Sequence, residues 1–258
     1  MDGMEKKPYE FRIPVSKNVS DRILTPKMAK THKGLELSLK KAVVSADAIN
    51  LDIGERAKGK LEAWEDILKN QAGENVGDGL PNFRYAVVDD RGVMLQPAGQ
   101  AGTLQQDNHW LDQAEFIPYG HGVNSITVKP YIEMKADNDS SQEIKVAVKQ
   151  TPTPNKPLVL EQKGSGRITI TNLEVKQDKI VVHFQAKDRE PRDFYITDDR
   201  GVNYFTNTIQ SDNLKENSFI SELTNMEGKS PAGRTLTVNM DKHHRQYIKE
   251  LEMKIKVK

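Results

Sequence analysis

The chain contains no cysteine. Disulfide frameworks, thiolate nucleophiles and cysteine-ligated zinc are therefore excluded. Aromatic residues are scarce, at 6%, and they do not alternate with basic residues in the way that stacks bases. Neither charge sign dominates: 38 lysines and arginines face 37 aspartates and glutamates among 258 residues. Nothing in that total calls for nucleic acid or an acidic substrate. No apolar run approaches the roughly 18–20 residues that cross a bilayer as a helix. The polar opening Met1-Asp2-Gly3-Met4-Glu5-Lys6-Lys7 has no apolar stretch behind it of the kind a signal peptide needs. No serine stands in a Gly-x-Ser-x-Gly elbow. None of the six histidines shows His-x-x-x-His or a similar metal spacing. Gly164-Ser165-Gly166 lacks the Lys-Ser/Thr ending of a phosphate loop.

What is present is repetition. Tyr85-Ala86-Val87-Val88-Asp89-Asp90-Arg91-Gly92-Val93 returns as Phe194-Tyr195-Ile196-Thr197-Asp198-Asp199-Arg200-Gly201-Val202. An apolar run, Asp-Asp-Arg-Gly and another apolar residue read as two antiparallel strands joined by a type I turn with a glycine bulge. Glycine closes the turn because that position needs positive φ. Neighbouring residues on a strand point to opposite faces, so Asp89 and Asp90 do not converge on one point, and turn geometry accounts for all four residues.

The repetition extends upstream. Leu35, Leu37 and Leu39 alternate with polar residues, as do Ile49, Leu51 and Ile53 after a turn at 46–48. An offset of 131 (47 to 178) carries Leu37 to Ile168, Leu39 to Ile170 and Ile49 to Ile180. At the Asp-Asp-Arg-Gly turn the offset is 109 (89 to 198), so the first copy holds 22 extra residues before its hairpin. Those residues carry the helical signal: Leu61, Trp64, Ile67 and Leu68 share one face of a helix. Such a helix either covers a sheet edge or an open end of the core, or forms a partner contact found in one unit alone.

The pattern predicts a mainly all-β chain of two tandem immunoglobulin-like β-sandwiches, the first with a short helical insertion. Residues 1–33 form a basic lead-in, 34–150 the first sandwich with its insert near 57–71, and 158–258 the second. Ile144, Val146 and Val148 read as the last strand of the first unit. Ile248 to Val257 read as the last strand of the second, and Ile126–Lys129 as the counterpart of Leu251–Lys254. Gly99-Gln100-Ala101-Gly102 reads as a loop. Pro152, Pro154 and Pro157 make 151–157 an extended spacer. A contact surface is expected on Leu61, Trp64, Ile67, Leu68, His109 and Trp110. Asp107, His109 and Asp112 around Trp110 form the polar cluster closest to a site.

The runs Lys33–Leu39, Ala86–Gly92 and Ser125–Ile132 give the chain a family likeness. It resembles the extracytoplasmic regions of membrane-anchored proteins of Gram-positive spore formers, domains of unknown function of which some are anti-sigma-factor-like. From Gly166 onward the chain is similar to the immunoglobulin-like domain that follows in those proteins. The resemblance implies a non-catalytic sensing or interaction region at the cell surface, with an anchor helix upstream of Met1 and a sigma-binding segment before it. It implies no cofactor, no nucleic acid, and an unknown protein or cell-wall partner; the membrane would be reached through the anchor. A surface adhesin or wall-associated spacer is the alternative, and a carboxylate hydrolase using Asp107 and Asp112 is the catalytic one.

Overall fold

The structure, a computed structural model, describes residues 22–72, 80–105, 109–120, 122–135, 143–213 and 217–257. Among them the chain is mostly strand, so the all-β expectation holds. The first half comprises β1 (Arg22–Leu24), β2 (Met28–His32), β3 (Leu35–Val44), β4 (Ile49–Ala57), helix α1 (Glu65–Asn70), β5 (Phe83–Asp89), β6 (Gln96–Gln105), β7 (His109–Ile117) and β8 (Ser125–Glu133). Next come β9 (Glu143–Ala147), β10 (Leu158–Gln162), β11 (Gly166–Val175), β12 (Ile180–Lys187), β13 (Phe194–Asp198) and β14 (Asn203–Asn213). The chain ends with β15 (Ser218–Thr224), β16 (Leu236–Asp241), β17 (Arg245–Tyr247) and β18 (Met253–Lys256).

Two sheets build the first unit. One has the order β1-β3-β4-β7-β6 with β2 also on β3; the other joins β5, β17 and β18 to β8. Leu37, Leu39, Leu51 and Ile53 from the first sheet meet Val87, Ile126, Val128 and Met253 from the second in one apolar core. The second unit is one eight-stranded sheet, β10-β11-β12-β15-β14-β13-β16-β9. It folds over on β14, which pairs with β13 through Asn203 and Tyr204 and with β15 from Phe205 onward. Ile170, Phe184 and Phe219 on one side then face Ile196, Val238 and Met240 on the other.

The duplication is real at the level of hydrogen bonds. The β3–β4 register slips between Leu39 and Lys41, and the β11–β12 register slips between Ile170 and Asn172, the same place at the offset of 131. The two Asp-Asp-Arg-Gly turns are held by the same hydrogen bonds from their first aspartates. Asp89 Oδ1 accepts from the backbone N–H of Arg91 (2.9 Å) and Val93 (3.0 Å); Asp198 Oδ1 accepts from Arg200 (2.9 Å) and Val202 (3.0 Å). Each arginine then folds back onto its own aspartate. Gly92 and Gly201 close the turns at φ 83° and 80°, which a side chain with a Cβ resists.

The strand assignment differs from the expected one at both ends of the repeat. β9 does not complete the first unit; it pairs with β16 in the second, Val146 opposite Val238. β18 does not complete the second unit; it pairs with β8 in the first, Met253 opposite Val128. Residues 125–128 and 253–256 are therefore hydrogen-bonded neighbours, and segments 126–129 and 251–254 are not counterparts. The two units have exchanged their last strands. Sequence periodicity cannot reveal this, because β9 and β18 alternate alike and fill equivalent slots.

Three smaller differences follow. Residues 22–32 already form β1 and β2, so the first sheet starts before Gly34, while the rest of the lead-in lies outside the described residues. The segment 151–157 is a compact turn bridged between Thr153 and Lys156, with Pro152 buried, not an extended spacer. Residues 99–102 lie in β6 rather than in a loop.

The units also share side chains. Val93 and Tyr119 of the first unit pack into the core of the second, Tyr119 edge-on to Phe219 at 5.9 Å. Lys129 pairs with Asp188 at 2.8 Å. The fully buried Arg189 donates to the carbonyls of Ser165 and Asp241 and pairs with Asp193 at 3.0 Å. Burial beside Arg245 and Arg189 holds the neighbouring His243 down at about 3.

A chain ending at Lys242 lacks β17 and β18 and leaves one edge of β8 unpaired. It should lose the cooperative unfolding transition of the first unit, read by near-ultraviolet circular dichroism; a native-like transition would show that the exchange is dispensable. Asp198→Asn should cost about 1.5–3 kcal/mol, the worth of hydrogen bonds to a charged group. Burial raises the Asp198 carboxyl, but Arg200 and the turn amides outweigh it and bring it to about 2. Its contribution is complete above the unfolded value of about 3.9 and lost as pH falls through about 2. The gap between wild type and Asp198→Asn should therefore close on acidification through that window.

Candidate functional site

β4 brings Ile49, Leu51 and Ile53 onto the core face, and the next residue on that face is Glu55, fully buried. On β7 the same face carries Phe116, Ala114, Asp112 and Trp110. In the register Glu55 stands opposite Trp110 and Ile53 opposite Asp112, so the two carboxyls are diagonal neighbours. Tyr85 reaches them from β5 on the facing sheet. Its hydroxyl bonds Glu55 Oε1 and, at 3.0 Å, Asp112 Oδ2. The Trp110 indole N–H donates to Asp112 Oδ1 at 3.0 Å.

One hydroxyl carries one proton and cannot donate to two carboxyls. The arrangement closes if Glu55 is protonated and donates to the Tyr85 oxygen while Tyr85 donates to Asp112. Two physical effects favour this. Burial raises Glu55 well above the usual carboxyl range, and the charge of Asp112 adds to it. Burial and the flanking carboxyls raise Tyr85 as well, so it stays a phenol. Glu55 Oε2, also buried, has no hydrogen-bond partner.

Glu55, Asp112 and Trp110 line a cleft of about 250 Å³ between β5 and β6, the terminal strands of their two sheets, and Tyr85 lies behind them. Gln100 on β6 ties the strands together by donating to the Phe83 carbonyl at 2.9 Å. The Trp110 ring lies on Gly102 of β6 so closely that a Cβ there would come within 2.3 Å of Nε1. Glycine at 102 is what lets the indole lie down against the sheet.

The duplication supplies an internal control. The registers place Ala186 where the first unit has Glu55, Phe194 where it has Tyr85, and Phe219 where it has Asp112. In the second unit these positions are apolar and buried, with Phe184 packed on Phe194 at 5.0 Å and on Phe219 at 5.6 Å. The scaffold thus closes its core there without polar residues. Glu55, Tyr85 and Asp112 are a polar trio of the first unit alone.

The expected contact surface does not come together. Trp64 is fully buried, donates to the Lys33 carbonyl at 3.0 Å and stands edge-on to His32 and Phe83. Leu61, Ile67 and Leu68 pack partly buried against the same core. The insert covers the core and leaves Trp64 nothing to offer a partner. His109 and Trp110 are adjacent on β7 and point to opposite faces. His109 lies over Gly54 on the outer face, where burial and the charges of Lys40 and Arg56 hold it below its ordinary value. Of the expected cluster, Asp112 and Trp110 meet, His109 faces away, and Asp107 lies outside the described residues. Glu55 and Tyr85 were missed. The offsets of 131 and 109 pair them with Ala186 and Phe194, and that substitution of polar for apolar was the available signal.

Glu55→Gln should raise the melting temperature by a few degrees near pH 8 and leave it nearly unchanged near pH 4. The folded state holds Glu55 neutral, whereas the unfolded chain ionises it above about 4.3. Wild type therefore loses stability as pH rises from there towards the raised folded value, and the amide does not. Equal melting temperatures across this range would mean that Glu55 is not held protonated. Gly102→Ala should displace the indole, lower the melting temperature and shift Trp110 fluorescence to the red.

No protein-family model and no curated protein match the chain. Among solved structures it is similar to one described as the crystal structure of the conserved domain protein from Bacillus anthracis. The identity is 8%, 93% of each chain is covered and the TM-score is 0.23. A likeness that weak carries no argument about fold or function.

Proposed function

We propose that this chain is the extracytoplasmic, non-catalytic sensing or interaction region of a membrane-anchored, anti-sigma-factor-like regulator. In this reading its two units are tandem immunoglobulin-like β-sandwiches. The observation that supports it best is the exchange of β9 and β18, which ties the units into one body. Such a body passes a contact made on one unit to an anchor attached at the other without bending between them. The polar residues that stand out already have structural partners, which fits a non-catalytic role. Asp89 and Asp198 are spent on their turns. The Tyr85 hydroxyl occupies the space between Glu55 and Asp112, where an acid and a base would have to flank a reacting bond.

A wall-associated spacer is the second reading, favoured by the same stiffness together with the lateral cleft.

The absence of cysteine provides a direct test. Met226 is fully exposed, so Met226→Cys introduces one accessible thiol. On intact cells carrying the full-length gene product, a membrane-impermeant maleimide should label that thiol above the level of the same product with Met226 in place. Labelling only after lysis would overturn the extracytoplasmic placement. Turnover in a broad hydrolase screen that vanishes in Asp112→Asn would overturn the non-catalytic one.

A further inference from the structure

We propose that the cleft between β5 and β6 binds a neutral polyhydroxylated ligand, one ring of a saccharide. This goes beyond the reading above and does not depend on where the protein resides.

The first support is the unpartnered oxygen. Glu55 lines the cleft, and its buried Oε2 has no hydrogen-bond partner. A buried acceptor without a donor is costly, and a ligand hydroxyl supplies the missing donor. The second is the hydrogen-bond count. Both Asp112 oxygens already accept, from Tyr85 and Trp110, and the chain through Tyr85 closes when Glu55 donates to the phenol oxygen. The site therefore asks for a donor at one neutral oxygen and not for a cation. Arg84 at the cleft wall adds a positive charge that opposes a cationic ligand. Among the described residues no group of three or more potential ligands is placed to hold a metal.

The third is shape. The indole of Trp110 is pinned by Asp112 and by its seat on Gly102, and it forms one wall. A fixed aromatic plane beside fixed polar groups suits a ring with apolar C–H faces and a polar rim. The volume of about 250 Å³ falls below the roughly 300–1,000 Å³ of sites for drug-sized ligands. It takes one ring, and the opening between two terminal strands leaves room for a chain to continue outward. The fourth is the internal control: the second unit fills the equivalent positions with Ala186, Phe194 and Phe219, so the fold itself does not demand the polar trio.

The test uses the whole chain, with calorimetry and saturation-transfer NMR against glucose, N-acetylglucosamine, glucosamine, glucuronate and putrescine. Glucose or N-acetylglucosamine should bind in the millimolar range, a strength suited to one ring. Glu55→Gln should bind within about twofold of wild type, because the amide reproduces a protonated carboxyl: its N–H serves Tyr85 and its carbonyl stays free for the ligand. Trp110→Ala should weaken binding by about tenfold or more. Trp110→Phe, which keeps a ring but loses the N–H, should weaken it less. Binding of putrescine or glucosamine in preference to the neutral sugars, with loss in Glu55→Gln, would overturn the proposal in favour of a cation site. No response to either neutral sugar, or a response indifferent to Trp110, would also overturn it. None of these failures touches the thiol-labelling result, and cleavage of a bound sugar would overturn the non-catalytic reading while leaving the binding site in place.

Discussion

β8 and β16 each hydrogen-bond along one edge to a strand from the other half of the chain. β18 closes the sheet of the first unit, and β9 closes the sheet of the second. A sheet edge left open exposes a row of backbone donors and acceptors, so neither unit is complete until the whole chain has been placed. The rest of the molecule follows from that constraint. Val93 and Tyr119 can sit in the core of the neighbouring unit, and Arg189 can be buried without exposure to water. The strand exchange holds the two bodies together long enough in sequence for such contacts to be worth their ordering entropy.

Within that frame the two copies have diverged in one telling respect. Both keep the bulge after Leu39 and Ile170 and both keep the aspartate-capped turn, because backbone geometry requires these features wherever the pattern occurs. At the open side of the core they part. The second unit packs phenylalanine on phenylalanine, and the first sets a carboxyl, a phenol and a second carboxyl in a hydrogen-bonded row under an indole. A buried polar chain contributes little to stability compared with apolar packing. Its presence in one copy alone fits a role in recognition.

The positions and buried faces of many strands were legible in the amino-acid sequence. The alternation of Leu35, Leu37 and Leu39, and of Ile49, Leu51 and Ile53, set which faces are buried. Asp89 to Gly92 and Asp198 to Gly201 specified two turns completely, since a short-range motif carries its own hydrogen bonds. The helical insert and its buried stripe were also readable, as was the repeat itself. Asp112 and Trp110 share one face of β7, whereas strand alternation sends His109 to the other.

What the chain alone determined, then, is everything decided within a few residues: turns, faces, the copy number of the unit. What only the assembled structure decided is which strand completes which sheet, and which polar side chains meet. Strands β9 and β18 present the same alternating pattern, so local rules cannot tell their destinations apart; the assembled sheets do, with β9 on β16 and β18 on β8. Glu55, Tyr85 and Asp112 lie on three strands of two sheets, 30 and 27 residues apart along the chain. Their meeting depends on sheets packing face to face, a distance that no periodicity measures.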